Sequence, residues 1–440
     1  MKPHCYHSIG VIHMTAMTSQ DRLERGDLRW STNPPPRVLF VDDQTGFPDG
    51  TAAANRLRHL AAGLVGEGLR ATVLLTKPSE LAHGERNRII RGQSRGVDFE
   101  YTCGTTVRSR SFLRRRLDAF KGRLFAIARI LQANTDQGAC VIYLFTETPG
   151  LSLLLQMTAR LFRIPVLVDA CEWTPAISPG ARARISYLKH ARYRFSDGAV
   201  CISRFLVDKV RSHGARATIR LPITVDPDEF AAPMRRNTAE PESPFPYLLW
   251  CGQVDAYIDS IREILQAFAL NCQEHPELVL CLVGPYGQRE SERIASWNAE
   301  YHIPDSQVRL LGYVDRHVLC RLFADAVALL SPLQANIRSK ARFPIKLGEY
   351  LMSGRPVIVG GIGDIETYFE DRVNALVYPA GDVAAMAERI AWAVENRALG
   401  DQIGVAGRSL AEREFDYRVL GRTLADFIAK VSHADSSTQK

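Results

Sequence analysis

Apolar residues in this chain gather into short runs separated by stretches where they recur at helical spacing, and the alternation runs through the sequence twice. In the first series RVLFVDD (37–43), ATVLLT, ACVIYLF, PVLVDA and GAVCIS predict buried strands. Ala53, Leu57, Leu60, Ala61 and Leu64 after the first strand predict a helix, and Leu151 to Phe162 predict another. The pattern pauses over DPDEFAAPMRRNTAEPESPFP, a Pro-, Glu- and Ser-rich stretch that reads as a linker. A second series follows in YLLWCG, LVLCLVG, VRLLGYV, AVALLSP, PVIVGG and NALVYP, with helices over Ile261–Cys272 and Asp382–Glu395. Near-continuous apolar strands alternating with helices are the mark of parallel sheets covered on both faces. The expected fold is therefore α/β, with two Rossmann-like domains facing across a deep cleft. Its expected divisions are an extension over 1–36, a first domain over 37–222, a linker over 223–246 and a second domain over 247–412. An amphipathic helix over 413–431 and a polar tail over 432–440 complete the chain.

The length of 440 residues fits two large domains, and 46% hydrophobic with 23% charged residues is a globular composition. Nine scattered cysteines without a Cys-x-x-Cys pair indicate neither a zinc site nor a disulfide framework, so a reducing cytoplasm is expected. No apolar run reaches the roughly 20 residues of a spanning helix. The net charge of +7 matters less than its distribution, because Arg108 to Arg129 carries eight basic side chains around Phe112, Leu113, Leu117, Phe120, Leu124 and Phe125. Such a basic amphipathic helix suits a peripheral contact with an anionic membrane at its inner face, or a solvated helix packing its apolar side on the domain. Nucleic acid is not expected as a partner, since the basic residues lack interleaved stacking aromatics and no reader motif is present.

Ligands of open parallel sheets bind beyond the carboxyl ends of the strands. The loop TGFPDGTAAANR places Gly50 and Thr51 at a helix start whose backbone N–H groups can hold a phosphate. DACEWTP sets Asp169, Glu172 and Trp173 at a strand end, where they could bind sugar hydroxyls or serve as a helix cap and a core tryptophan. WCGQVDAY and LVGPYG offer Gly252 and Gly284 for close backbone approach. Ser339 to Glu366 is the most specific stretch. It combines Lys340, Arg342, Lys346 and Glu349 with the Gly360-Gly361-x-Gly363 loop. Basic side chains and glycine amides suit a diphosphate, and a carboxylate such as Glu349 suits a vicinal diol.

This last segment, together with ISRFLVDKVRSHGARATIRLPITVDPDEF and GDVAAMAERIAWAVEN, resembles the retaining GT-B glycosyltransferases of family 4, and the likeness runs from Arg37 to about Val431. The resemblance implies a hexosyltransferase that takes a nucleotide diphosphate sugar as co-substrate, with no other cofactor and no metal. The acceptor would be a sugar, a polysaccharide or a lipid-linked sugar, and the setting polysaccharide or glycolipid synthesis. It puts Glu349 on the ribose, Gly50 and Thr51 near the phosphates, and Gly360, Gly361 and Gly363 around sugar and diphosphate. Gly284 would line the base pocket, Gly252 and Arg342 would complete the donor site, and Lys346, Glu172 and Asp169 would be catalytic. Three positions depart from the family pattern. Ala341 replaces the first of two glutamates eight residues apart, Gln253 and Asp259 stand where an Arg and a Lys usually hold the diphosphate, and Cys171-Glu172 fall where a histidine is common. The competing expectations are another GT-B enzyme, either an inverting transferase or a nucleotide-sugar epimerase, and a non-catalytic GT-B binding subunit.

Overall fold

The computed structural model of the chain describes residues 36–50, 52–81, 86–137, 140–146, 148–173, 190–234 and 245–437. Thr51, nearly all of the expected extension, the heart of the linker and the last three residues lie outside the described residues. The first sheet contains β1 (Arg37–Asp42), β2 (Arg70–Leu75), β3 (Arg91–Ser94), β4 (Val97–Tyr101), β5 (Cys140–Leu144), β6 (Val166–Ala170), β7 (Gly198–Cys201) and β8 (Thr218–Arg220). Among the described residues its eight strands run in the order β3-β4-β2-β1-β5-β6-β7-β8, and of these only the β3–β4 pair is antiparallel. Helices α1 (Ala52–Gly66), α2 (Phe112–Gln137), α3 (Pro149–Phe162), α4 (Arg204–Ser212) and α5 (Pro227–Met234) accompany it. The side-chain alternation of β1 shows how the layers form. Val38 and Phe40 pack with Leu57, Leu60 and Leu64 of α1 on one face. Leu39 and Val41 pack with Ala126 and Ile130 of α2 and Leu151 and Leu155 of α3 on the other.

The second sheet has six parallel strands, β9 (Tyr247–Cys251), β10 (Val279–Val283), β11 (Val308–Gly312), β12 (Ala328–Ser331), β13 (Val357–Gly361) and β14 (Leu376–Pro379), ordered β11-β10-β9-β12-β13-β14. Helices α6 (Ile258–Ala269), α7 (Gln288–Glu300), α8 (Arg316–Asp325), α9 (Ile337–Ala341), α10 (Ile345–Met352), α11 (Ile365–Tyr368), α12 (Val383–Glu395), α13 (Arg397–Glu414) and α14 (Tyr417–Ser437) follow in chain order. The terminal helix α14 returns to the first sheet and lies on α1. A Cβ added to Gly63 would stand 2.9 Å from the Gly421 Cα, so the two helices touch backbone to backbone there.

Two features were not expected from the apolar pattern. β3 and β4 form an edge hairpin joined by Arg95 and Gly96, both at positive φ (52° and 77°), the geometry a two-residue hairpin turn requires. At the rim of the sheet β3 alternates exposed and half-buried positions and β4 buried and half-buried ones, and so the pair lacks the apolar runs that mark the central strands. β8 has only three residues, all half-buried.

Candidate active site

Each sheet has a central strand, β1 or β9, whose neighbours on its two sides are reached by connections leaving in opposite directions, and a crevice opens at the carboxyl end of such a strand. The two crevices face one another and enclose a cavity of about 1080 Å³. Its walls include Asp49, Gly50 and Asn55 after β1, Cys171 and Glu172 after β6, and Gly252, Gln253 and Tyr257 after β9. Gly284 after β10, Arg316 after β11, and Arg342 and Lys346 beyond β12 complete them.

The loops are fixed by polar contacts that begin inside the strands. Asp42 accepts from the Thr45 N–H at 2.8 Å and the Thr45 hydroxyl at 2.7 Å, which folds the chain back after β1. Asp43 bridges the crevice between β1 and β5, accepting from Thr146, from Thr148 at 2.6 Å and from Lys77 at 2.6 Å. Burial alone would raise its pKa, but these donors outweigh it and hold the carboxyl below its usual range. Asn87 clamps the glycine loop by donating to the Asp49 carbonyl at 2.8 Å and accepting from the Asp49 N–H at 3.1 Å. In the second sheet Gly284 sits at φ +138°, and a Cβ there would lie 1.7 Å from the Gly252 carbonyl oxygen. Only glycine permits the loops after β9 and β10 to meet in this way.

Glu349 organises the basic side of the cavity. Its carboxylate accepts from Asn55 of α1 at 3.0 Å and from Lys346 at 2.9 Å, and it pairs with Arg316 at 3.0 Å. Its side chain is 7% exposed. Although burial pushes the carboxyl up, the Lys346 ammonium and Arg316 guanidinium hold it at about 2. Burial would lower the Lys346 pKa, and Glu349 reverses that and raises it. Arg316 also donates to Glu229 at 3.1 Å, and Glu229 receives Arg58 at 2.6 Å and Arg95 at 3.0 Å. An ionic chain thus runs from α1 and α5 to α8 and α10. Also on the cavity wall, Arg342 stands over the Tyr257 ring, 5.1 Å from its centroid, and donates to the Tyr257 hydroxyl at 3.3 Å.

Of the residues expected at the site, Gly50, Glu172, Gly252, Gly284, Arg342 and Lys346 line the cavity, and Thr51 lies outside the described residues. Glu349 is not on the wall. Both its oxygens are engaged by protein donors, so it reaches the cavity through Lys346 and Arg316 rather than as an open diol clamp. Gly360, Gly361 and Gly363 are not among the residues that line the cavity. Gly360 is closed over by Leu333, and Gly363, at φ +62°, lies against the Lys340 backbone. Asp169 is corrected more firmly. It is buried, paired with Arg56 at 3.4 Å, and accepts from the Tyr143 hydroxyl at 2.6 Å and the Cys171 thiol at 2.6 Å. That carboxylate is consumed inside the first sheet and does not line the cavity. Trp173 is likewise a core residue, stacked on His190 with centroids 4.0 Å apart.

Asn55, Arg58, Arg316 and Tyr257 escaped the sequence reading. Asn55 and Arg58 lie three residues apart on α1, on the side opposite the apolar stripe that defined the helix. Arg316 opens the helix after β11, a position the rule of strand ends could have found. The departures also take their places. Ala341 is fully buried and its carbonyl accepts from the Ser203 hydroxyl, so a glutamate side chain there would have to enter a packed junction between the two halves. Asp259 is exposed and off the cavity wall, whereas Gln253 is on it. His59, Asp226 and Glu229 form a cluster with metal-ligand atoms within 4.8 Å of one another. Its carboxylates are bound by Arg95, Arg58 and Arg316, which makes it an ion-pair network rather than an open cation site.

Family models match both halves of the chain. Residues 245–396 match the glycosyl transferases group 1 model, and residues 51–223 match a glycosyl transferase 4-like domain. Compared by sequence with curated proteins, the chain matches none significantly. Among solved structures, sucrose-phosphate synthase from Thermosynechococcus elongatus is 17% identical with a TM-score of 0.67, over 91% of this chain and 100% of that one. The Anabaena protein HepE in complex with UDP and glucose is 15% identical with a TM-score of 0.62, over 90% of this chain and 99% of that one. The α,α-trehalose 6-phosphate synthase of Burkholderia multivorans is 14% identical with a TM-score of 0.62, over 92% and 99%. These likenesses establish the two-sheet architecture as a GT-B fold.

Proposed function

Because the chain belongs to the group 1 glycosyl transferases, and is therefore a glycosyltransferase, we propose that it moves a hexose with retention from a nucleoside diphosphate sugar to an acceptor hydroxyl. The observation that carries this reading is the convergence of Lys346, Arg316 and Arg342 on a cavity whose other walls are the backbone turns at Gly50, Gly252 and Gly284. Cations beside approachable backbone suit a pyrophosphate with its appended nucleoside and sugar.

In this reading the bond from the anomeric carbon to the diphosphate oxygen breaks while the acceptor oxygen bonds to the same face of that carbon. The acceptor proton passes to the departing phosphate oxygen, so no protein nucleophile forms. The leaving diphosphate gains charge as the bond stretches, and Lys346 and Arg316, already oriented by Glu349, meet that charge without reorganising. Glu172, half-buried at the end of β6 on the first-sheet wall, is placed to accept a hydrogen bond from a sugar hydroxyl. Gln253 occupies one of the two positions where the family carries a cation, and Arg342 brings another cation to the cavity wall. The setting we propose is the cytoplasm and the synthesis of a polysaccharide or glycolipid. No described helix is long and apolar enough to cross a membrane.

Thermal unfolding of the purified chain with UDP, GDP and ADP, each alone and as a sugar conjugate, tests the reading. One base should raise the midpoint by mass action, and Lys346→Ala should abolish most of that rise. A midpoint indifferent to every nucleotide would remove the donor from the cavity.

A further inference from the structure

Helix α2 is anchored through one side and only part of its length. Gly122 presses on the chain just past the carboxyl end of β2, where an added Cβ would meet the Thr76 carbonyl oxygen at 2.1 Å. Ala126, Ile130 and Ala133 beyond it enter the core. Because α2 feeds β5, which runs parallel to β1 and β2, its start lies at the carboxyl edge of the sheet. The ten residues before Gly122 therefore project past that edge by roughly 15 Å at the α-helical rise. The cavity opens at the same edge.

The outward side of this projection is apolar. Leu113, Leu117, Phe120 and Leu124 follow one another at helical spacing with exposures of 73%, 66%, 61% and 52%. On the same side of the sheet α3, packed beside α2, exposes Met157 at 72% and Leu161 at 77%. A solvated helix would turn its polar residues outward, and an exposed apolar patch of this kind marks a contact surface. Charge identifies the partner. Arg108, Arg110, Arg114, Arg116 and Lys121 are exposed around the stripe, with Arg116 over the Phe112 ring at 5.1 Å from its centroid. Asp118 is the one acidic residue between Arg108 and Asn134. Across a two-fold axis between two copies these cations would face one another, whereas an anionic lipid surface neutralises them.

We propose that the outward side of α2, continued by α3, docks on an anionic lipid bilayer, with the leucines and phenylalanines at the acyl boundary and the flanking arginines on headgroup phosphates. The lipid contact stands apart from the transfer reaction. Its corollary, that the cavity mouth is held at the bilayer so that the acceptor is lipid-borne, rests on the transferase reading.

Sedimentation of the full chain with vesicles tests the proposal. The chain should bind vesicles of equal parts phosphatidylcholine and phosphatidylglycerol, and bind phosphatidylcholine alone on the order of tenfold or more weakly. Leu117→Glu with Phe120→Glu should abolish binding, and Arg114→Gln with Arg116→Gln should weaken it on the order of tenfold, both with unchanged thermal midpoints. Absence of binding to the anionic vesicles, or binding that both double variants retain, overturns the proposal. So does a dimer in solution that Leu117→Glu splits while vesicles remain unbound. The nucleotide-induced midpoint rise, measured on the same samples, reports separately on the donor reading, which can fail while vesicle binding persists.

Discussion

Replacing Glu349 by glutamine keeps the shape of the side chain and the acceptor for Asn55, and removes the negative charge between Lys346 and Arg316. The structure sets the size of the effect. The carboxyl is held at about 2 against an ordinary 4.5, because the two cations overcome a burial that would raise it. At about 1.4 kcal/mol per unit, the charged form is favoured in the folded chain by about 3 kcal/mol. The sign follows from the depressed folded value. The contribution is complete above the unfolded pKa of 4.5 and is lost as pH falls toward 2. Glu349→Gln should thus cost about 3 kcal/mol at pH 7. Removing one partner of a buried pair costs more where the remaining charge stays buried. Here Lys346 is 26% and Arg316 40% exposed at the side chain, so both can recover water and the cost stays near the lower figure. Urea unfolding followed by tryptophan fluorescence, on wild type and variant in parallel, measures it. The difference between the two should be flat from pH 7 to about 5.5, smaller by about 0.8 kcal/mol at pH 4 and by about 2 kcal/mol at pH 3. Taking the difference cancels every other titrating group. A gap that stays constant down to pH 3 would show that Glu349 titrates normally and that the ionic cluster does not form.

Further outcomes follow from the same geometry. Lys346→Ala should lower kcat by about 10²- to 10³-fold and also raise KM for the donor, measured by release of nucleoside diphosphate, since the ammonium meets the bound diphosphate and, more strongly, the charge that develops during bond breaking. Gly284→Ala should destabilise the chain by several kcal/mol in thermal unfolding and abolish nucleotide binding, because its Cβ would fall inside the Gly252 carbonyl at a φ that alanine rarely adopts. His59 is buried, and burial together with the Arg58 charge holds its pKa down at about 4. Folding then requires the neutral ring, and stability should fall as pH drops from about 6.5 to 4, by at most about 3 kcal/mol. His59→Gln should flatten that part of the profile.

The architecture was legible because the central strands are buried on both faces, which writes them as continuous apolar runs such as RVLFVDD and YLLWCG. Edge elements carry no such mark. β3 and β4 expose alternate residues, and an RGQS strand is apolar nowhere. At the site, glycines and basic residues in strand-end loops could be named, and Gly50, Gly252, Gly284, Arg342 and Lys346 do line the cavity. Which carboxylate would be open and which consumed could not be read, because that depends on partners far away in sequence. Asp169 is spent on Arg56 and Tyr143, and Glu349 on Asn55 of the other half, 294 positions away. Arg58 and Arg316 were hidden for the same reason, since each becomes a site residue only when the two sheets meet.

That dependence bears on how the reaction is organised. Glu229 takes Arg58 and Arg316, Glu349 takes Arg316, Lys346 and Asn55, and the contributing helices come from both sheets. Asp364 of the second half meanwhile accepts from the Arg204 N–H at 2.9 Å, at the start of α4, and so caps a helix of the first. The cations facing the cavity are therefore positioned by Glu349 within the second half and further by Asn55 and Glu229, contacts that exist only when the halves are together. Separating the halves would leave Lys346 and Arg316 attached to the second sheet but would remove Asn55 and Arg58, and with them part of the order that fixes the cations toward a diphosphate. An anionic ligand between the sheets would in turn add attraction across the junction that holds them. Assembly of the cationic wall and approach of the two halves are in this sense one equilibrium, and whatever binds the wall pulls on the junction.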